Sequence, residues 1–163
     1  MAGRTVPAVV EETEDEGQQG LDLGKLPNMV GYVARRAQLK IFEDFIRTMA
    51  TIDLRPASFS VLAVIEANPG STQSAVSAAL GLQRTNLVAI IDQLEERGLA
   101  RRAPAKADKR SHALTLTPKG KRLLDQAMEL QGEHERRVLA PLTPDEGRQL
   151  LDYLHRMIAG SER

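Results

Sequence analysis

Residues 71–120 read STQSAVSAALGLQRTNLVAIIDQLEERGLARRAPAKADKRSHALTLTPKG, and the punctuation of this stretch sets the architecture of the chain. Ser71 can cap a short helix of small residues, and Gly81 supplies the left-handed residue that ends it. A second helix follows almost at once, from about Gln83 to Arg97. Its Leu87, Ile91 and Leu94 fall at i, i+4 and i+7 and make one apolar stripe, and Gly98 stops it. From Leu99 the period changes. Residues 99–102 read as extended, Pro104 to Arg110 as a basic loop, and His112 to Thr117 alternate polar with apolar in the manner of a strand. Two short helices joined by a tight turn and followed directly by a basic hairpin make a winged helix-turn-helix.

Working outward, Pro27 precedes a helix from about Asn28 to Ala50. Val30, Val33, Ala37, Ile41 and Phe45 recur on one side of it, with Arg35, Arg36, Lys40, Glu43 and Arg47 on the other. Pro56 opens another helix, PASFSVLAVIEA. Downstream, Pro118 starts a long helix to about Leu139. Thr143 caps a last one, whose stripe is Leu150, Leu151, Leu154 and Ile158. The first twenty residues are polar, acidic and without period, which predicts a disordered tail. The fold class is mainly α with a small β-hairpin wing. The expected division is an acidic tail over 1–27, a dimerisation helix over 28–54, the winged domain over 55–120, and a long helix with a C-terminal dimerisation helix over 121–160. The first and last helices carry more apolar surface than one small core can cover, so a homodimer is expected.

Composition narrows the functional classes. The 163 residues contain no Cys and no Trp, and only three Phe and two Tyr, so the core is aliphatic. Lack of Cys excludes disulfides, thiolate–zinc sites, thiol nucleophiles and thiol redox sensing. His112, His134 and His155 are scattered, so no metal site is expected, and His134 reads as an exposed, unliganded histidine. No catalytic residues are expected, because phosphate-loop, HExxH and GxSxG motifs and clustered carboxylates are all missing. Neither a signal peptide nor a membrane span is evident, and a cytoplasmic protein without membrane contact is the expectation. Formal net charge is zero, but its distribution is uneven. Residues 1–28 hold six acidic side chains against two basic ones, whereas 84–122 hold ten basic against four acidic. Such a local basic patch is the footprint of a nucleic-acid binder, or else a solvated charged face.

The segment from Ser71 to Gly120 resembles the multiple antibiotic resistance regulator (MarR) family of bacterial transcription factors. Asp108, Arg110, Leu116, Thr117 and Gly120 match its wing signature of Asp-x-Arg, Leu-Thr and Gly. Leu94, Glu95, Gly98 and Leu99 match the end of its recognition helix. The likeness extends over about 29–160. It implies a homodimer with interleaved terminal helices, set across a pseudo-palindromic operator in double-stranded DNA. Gln83, Arg84, Thr85 and Asn86 then lie where a recognition helix first meets base edges. Thr85 or Asn86 acting only as a helix cap is the alternative. In the wing, the resemblance sends Arg110 into the minor groove and leaves Lys106, Lys109 and Arg102 to phosphates, with Asp108 orienting a cation. The chain departs from the family at Val88 and Ala89, where polar or basic residues are common, and at Gln93, where Arg is common.

Many members of the family are released from DNA by an aromatic acid held between the dimerisation helices and the winged domain. Tyr32, Arg35, Arg36, Lys40 and Phe59 are the candidate contacts here, since a basic stripe beside aromatic rings suits an anionic aromatic ligand; the bland alternative is a solvated stripe. The chain is similar overall to the subgroup answering to hydroxycinnamoyl-coenzyme A thioesters or related aromatic catabolites. The resulting expectation is a ligand-responsive repressor with no cofactor, whose effector is an aromatic acid or aromatic acyl-CoA. The alternative is a winged-helix architectural or protein-contact module without sensing.

Overall fold

A computed structural model describes residues 21–104 and 112–160. It divides the chain into two compact units, with the boundary between Arg36 and Ala37. In the first unit a 3-10 turn, Leu26–Asn28, carries Pro27 and leads into the opening turns of α1 (Val30–Ala50). Here the Arg36 guanidinium stands 6.0 Å from the centre of the Tyr32 ring.

The second unit holds the remainder of α1, then α2 (Pro56–Ala67), α3 (Gln73–Leu80), α4 (Arg84–Glu96), β1 (Ala100–Pro104), β2 (His112–Leu116), α5 (Pro118–Val138) and α6 (Pro144–Gly160). Element order and type match the sequence reading, and three local details differ. The cap of α3 is Thr72, whose hydroxyl accepts from the Ala75 amide at 3.2 Å; Ser71 Oγ is buried with no partner among the described residues. The cap of α4 is Gln83, without a side-chain bond, so neither Thr85 nor Asn86 is spent on capping. Pro104 belongs to β1 rather than to the loop.

Gly81, at φ 62°, closes α3 in the left-handed conformation that disfavours other residues, and α4 then departs at 115°. The α4 stripe of Leu87, Ile91 and Leu94 is fully buried with Val61, Leu62, Ile65, Val76 and Leu114. Burial of each such side chain is worth about 1.5–3 kcal/mol, so this packing fixes which face of α4 is left for solvent. The hairpin pairs Ala100 with Leu116 through to Pro104 with His112. It is tied back to the helices by the Gly70 amide donating to Leu114 O at 2.8 Å and the Leu114 amide donating to Ser71 O at 2.9 Å. At the start of α5, the Thr117 hydroxyl donates to Gly98 O at 2.7 Å, while its oxygen accepts from the Gly120 amide at 3.0 Å. Gly120 passes so close to the Leu99 carbonyl that a methyl group there would overlap it. Among the described residues no single helix is long and apolar enough to cross a membrane.

Candidate nucleic-acid interface and effector cavity

Burial of the α4 stripe turns the first residues of that helix outward. Gln83, Arg84, Thr85 and Asn86 are all exposed, and among the described residues none of the four side chains has a hydrogen-bonding or ion-pairing partner. Four hydrogen-bonding side chains are thus left free on the first turn of a helix that packs on its other face. Lys106, Asp108, Lys109 and Arg110 lie outside the described residues.

Arg102 behaves differently from the expectation of a phosphate contact. Its side chain is only 19% exposed and turns back onto α4, where Nη2 stands 2.7 Å from Asp92 Oδ1 and Nη1 pairs with Glu95 Oε2. The Arg102 amide also donates to Glu95 Oε1 at 2.6 Å. Asp92 and Glu95 are one helical turn apart, so a single guanidinium bridges both carboxylates. The root of the hairpin is thereby fastened to α4. Sequence reading missed this because a basic strand residue carries no mark of which carboxylates it will meet.

A second feature lies among α1, α2 and α5. All three phenylalanines of the chain, Phe42, Phe45 and Phe59, line one cavity of about 430 Å³ with Ile41, Pro56, Ala57, Ser60, Gln131 and His134. Phe45 stacks on Phe42 with centroids 6.3 Å apart and meets Phe59 edge-on at 5.5 Å. The expected contact Phe59 lies here. Lys40 lines a neighbouring cavity of about 420 Å³ that shares Ile41, and its ammonium is 3.8 Å from Glu43. Arg35, Arg36 and Tyr32 belong to the first unit.

His134 corrects the sequence reading. It is buried, with Nδ1 2.8 Å from Asp44 Oδ2 and its ring edge-on to Phe45. Asp44 also accepts from Arg137 Nη2 at 2.9 Å and from Arg47 at 2.7 Å, and Arg137 reaches Thr48 Oγ1 at 2.6 Å. The Arg137 hydrogen bond, then those of His134 and Arg47, hold the Asp44 carboxyl far below the usual carboxylate range. Asp44 and His134 are 90 positions apart, too far for any local pattern to reveal the pair. Among the described residues no group of three or more His, Asp or Glu side chains is arranged to hold a metal ion.

The profile of the MarR family matches residues 52–111. A curated relative, the "putative transcriptional regulatory protein for hcr operon" of Thauera aromatica, is 32% identical over 135 residues, which is 82% of this chain and 81% of that one. The chain belongs to the MarR family. It is a transcriptional regulator, and the family is non-enzymatic. Among solved structures, the repressor CouR bound to a 23-mer DNA duplex is 42% identical, covering 89% of this chain and 100% of its own with a TM-score of 0.78. CouR bound to p-coumaroyl-CoA is 40% identical, covering 85% and 98%, with a TM-score of 0.77. In the winged helix of this MarR-family regulator, α4 is the second helix of the helix-turn-helix, and its start is exposed. The regulators of this family are dimeric. An apolar face of α6 stands outside the buried core of the winged domain. There Leu150, Leu151, Leu154, Met157 and Ile158 are all exposed.

Proposed function

We propose that this regulator is a cytoplasmic repressor that grips a pseudo-palindromic operator as a homodimer and is released by an aromatic acyl-CoA thioester or the parent aromatic acid. The winged domain over 55–120 carries the DNA contacts, and the helices over 28–54 and 121–160 carry the dimer contacts. Gln83, Arg84, Thr85 and Asn86 read base edges in the major groove. Arg110 enters the minor groove, with Asp108 orienting the wing cations and Lys106 and Lys109 neutralising phosphates. Arg102 serves the same interface indirectly, as the brace between wing and recognition helix.

One observation carries the effector reading: a chain with only five aromatic residues places all three of its phenylalanines around a single cavity. Aliphatic side chains would have filled the space equally well, whereas rings favour an aromatic guest through offset and edge-on contacts. The ligand of the 40% identical CouR structure, p-coumaroyl-CoA, is such a guest. Arg35, Arg36 and Lys40, all exposed cations, supply charge suited to an anionic ligand. Release requires only that the ligand favour the DNA-incompetent arrangement of the dimer.

The test is fluorescence anisotropy with the DNA upstream of the regulator's own gene and a scrambled control, repeated with aromatic acids and their CoA thioesters. Selective binding reversed by one of these compounds is the expected result. Equal binding to both DNAs, insensitive to every compound, would replace the repressor with an architectural coater.

A further inference from the structure

At its C-terminal end, α4 is held by one residue from two sides. Arg97, the half-buried C-cap, reaches with its guanidinium to the turn that follows α1. There Nη1 donates to the Asp53 carbonyl at 2.7 Å, and Nη2 stands 3.5 Å from Asp53 Oδ2. In the other direction the Arg97 carbonyl accepts from Lys119 Nζ of α5 at 2.8 Å. A cation is favourable at that place, the negative end of the α4 dipole. Among the described residues no other hydrogen bond joins α4 or its cap to α1, to the turn after it or to α5. Asp53 is itself unusual, being the one described residue other than glycine with a positive φ, at 50°. Its amide donates to Ala50 O and the Leu54 amide to Met49 O, both at 3.1 Å, the pair of bonds that closes a helix on a left-handed residue. The turn is thus fixed by its own backbone, and it presents the Asp53 carbonyl to Arg97. Cavities of about 230 Å³ and 220 Å³, both lined by Arg97, leave the surroundings loosely packed.

We propose that Arg97 is the positioning residue that sets the distance between the two base-reading surfaces of the dimer, and with it the half-site spacing an operator must have. This rests on the reading of a homodimer on a pseudo-palindromic operator and deepens it. In that reading the dimer contacts lie in 28–54, which includes Asp53, and in 121–160, into which α5 continues from Lys119. The base contacts lie at the opposite end of α4 from Arg97. That helix has 13 residues, a lever about 20 Å long. A tilt of about 10° at its cap moves the first turn by roughly 3.4 Å, one base-pair step. The Arg102 brace fastens α4 to the hairpin, which belongs to the same winged domain, and so cannot restrain this tilt against the dimer helices. Arg97 is placed to do so, because it grips both of them at the fulcrum. Holding the lever beforehand also spares the dimer the loss of freedom on binding DNA.

Footprinting of the full-length protein on the DNA upstream of its own gene supplies the operator. Anisotropy titrations then compare that operator with duplexes carrying one base pair more or fewer at its centre. The wild type is expected to lose about tenfold or more in affinity on either change. In Arg97→Gln this penalty is expected to shrink to about threefold or less, because the tilt is no longer restrained. Affinity for a duplex holding one half-site, and the slope of log K against log salt, are expected to stay at wild-type values, which a general loss of structure would not allow. Lys119→Gln removes the second tie while leaving the guanidinium in place. It is expected to relax the penalty in the same sense, and it serves should Arg97→Gln fold poorly. A spacing penalty unchanged in both variants, or absent from the wild type, would overturn the role given to Arg97 and leave the selective repressor standing. Equal binding of the wild type to operator and scrambled DNA would remove the operator reading and this inference with it.

Discussion

At the scale of single residues, two positions decide how the DNA-reading surface is held. Gly120 lies on the first turn of α5 against the Leu99 carbonyl, and a Cβ there would also come within 2.8 Å of the Leu99 carbonyl carbon. The hindrance is backbone, which cannot swing aside as a side-chain tip would. Gly120→Ala is expected to cost about 3 kcal/mol, read as a fall in the midpoint of thermal unfolding on the order of 10 °C. The Arg102 side chain is engaged by Asp92 and Glu95 of α4, so Arg102→Gln is expected to weaken operator binding by loosening the wing. The slope of log K against log salt should stay at the wild-type value. A Lys109→Gln control should lower that slope by about 0.9, the signature of one lost phosphate contact. Titration of operator DNA at several salt concentrations separates the two roles, and a reduced slope for Arg102→Gln would restore it to the phosphate contacts.

At the scale of elements, α4 and α6 show the same amphipathic logic with opposite outcomes. The α4 stripe finds the core and is buried, whereas Leu150, Leu151, Leu154, Met157 and Ile158 of α6 remain exposed. A helix with an exposed apolar stripe is destabilised until something covers it, and the regulators of this family being dimeric, the cover we propose is a second copy. The substitution Leu154→Glu is expected to shift the protein from dimer to monomer in sedimentation velocity at micromolar concentration. Operator affinity is expected to fall at least tenfold with it, because two half-sites are no longer read together. Several helix ends were legible from sequence, since Gly81 after α3, Pro118 at the start of α5 and Thr143 before α6 act within a few residues of themselves. The Thr143 amide does donate to Glu146 Oε2 at 2.8 Å, and the Thr143 hydroxyl accepts from the Glu146 amide at 3.3 Å. The Ser71-for-Thr72 difference arose where two hydroxyl residues are adjacent and both can cap; pairing of Ser71 O with Leu114 from β2 selects between them.

At the scale of the whole molecule, the Asp44 network joins α1 to α5 across the wall of the aromatic cavity. Its carboxyl titrates far lower in the folded chain than the ~3.9 of an unfolded Asp. A group whose pKa is lowered by folding stabilises fully above its unfolded value and loses that contribution as pH falls below it. Thermal stability is therefore expected to hold steady above about pH 5 and to drop as pH falls through 4. In Asp44→Asn the stability near neutral pH should be lower and the acid drop shallower. Scanning calorimetry between pH 3 and 7 on both proteins checks this, and identical pH profiles would refute the role given to Asp44.

Sequence by itself determined the helix and strand order, the basic wing, the outward start of α4 and the family, because each of these is written in residues close together along the chain. Tertiary structure alone decided the gathering of Phe42, Phe45 and Phe59, the partner of His134 and the inward turn of Arg102. The first draws on two helices, the second joins residues 90 positions apart, and the third depends on how a hairpin lies against α4. Helical periodicity and capping are local physics that a single sequence displays. Which carboxylate meets which cation, and which rings share a cavity, depends on packing angles that no local pattern encodes.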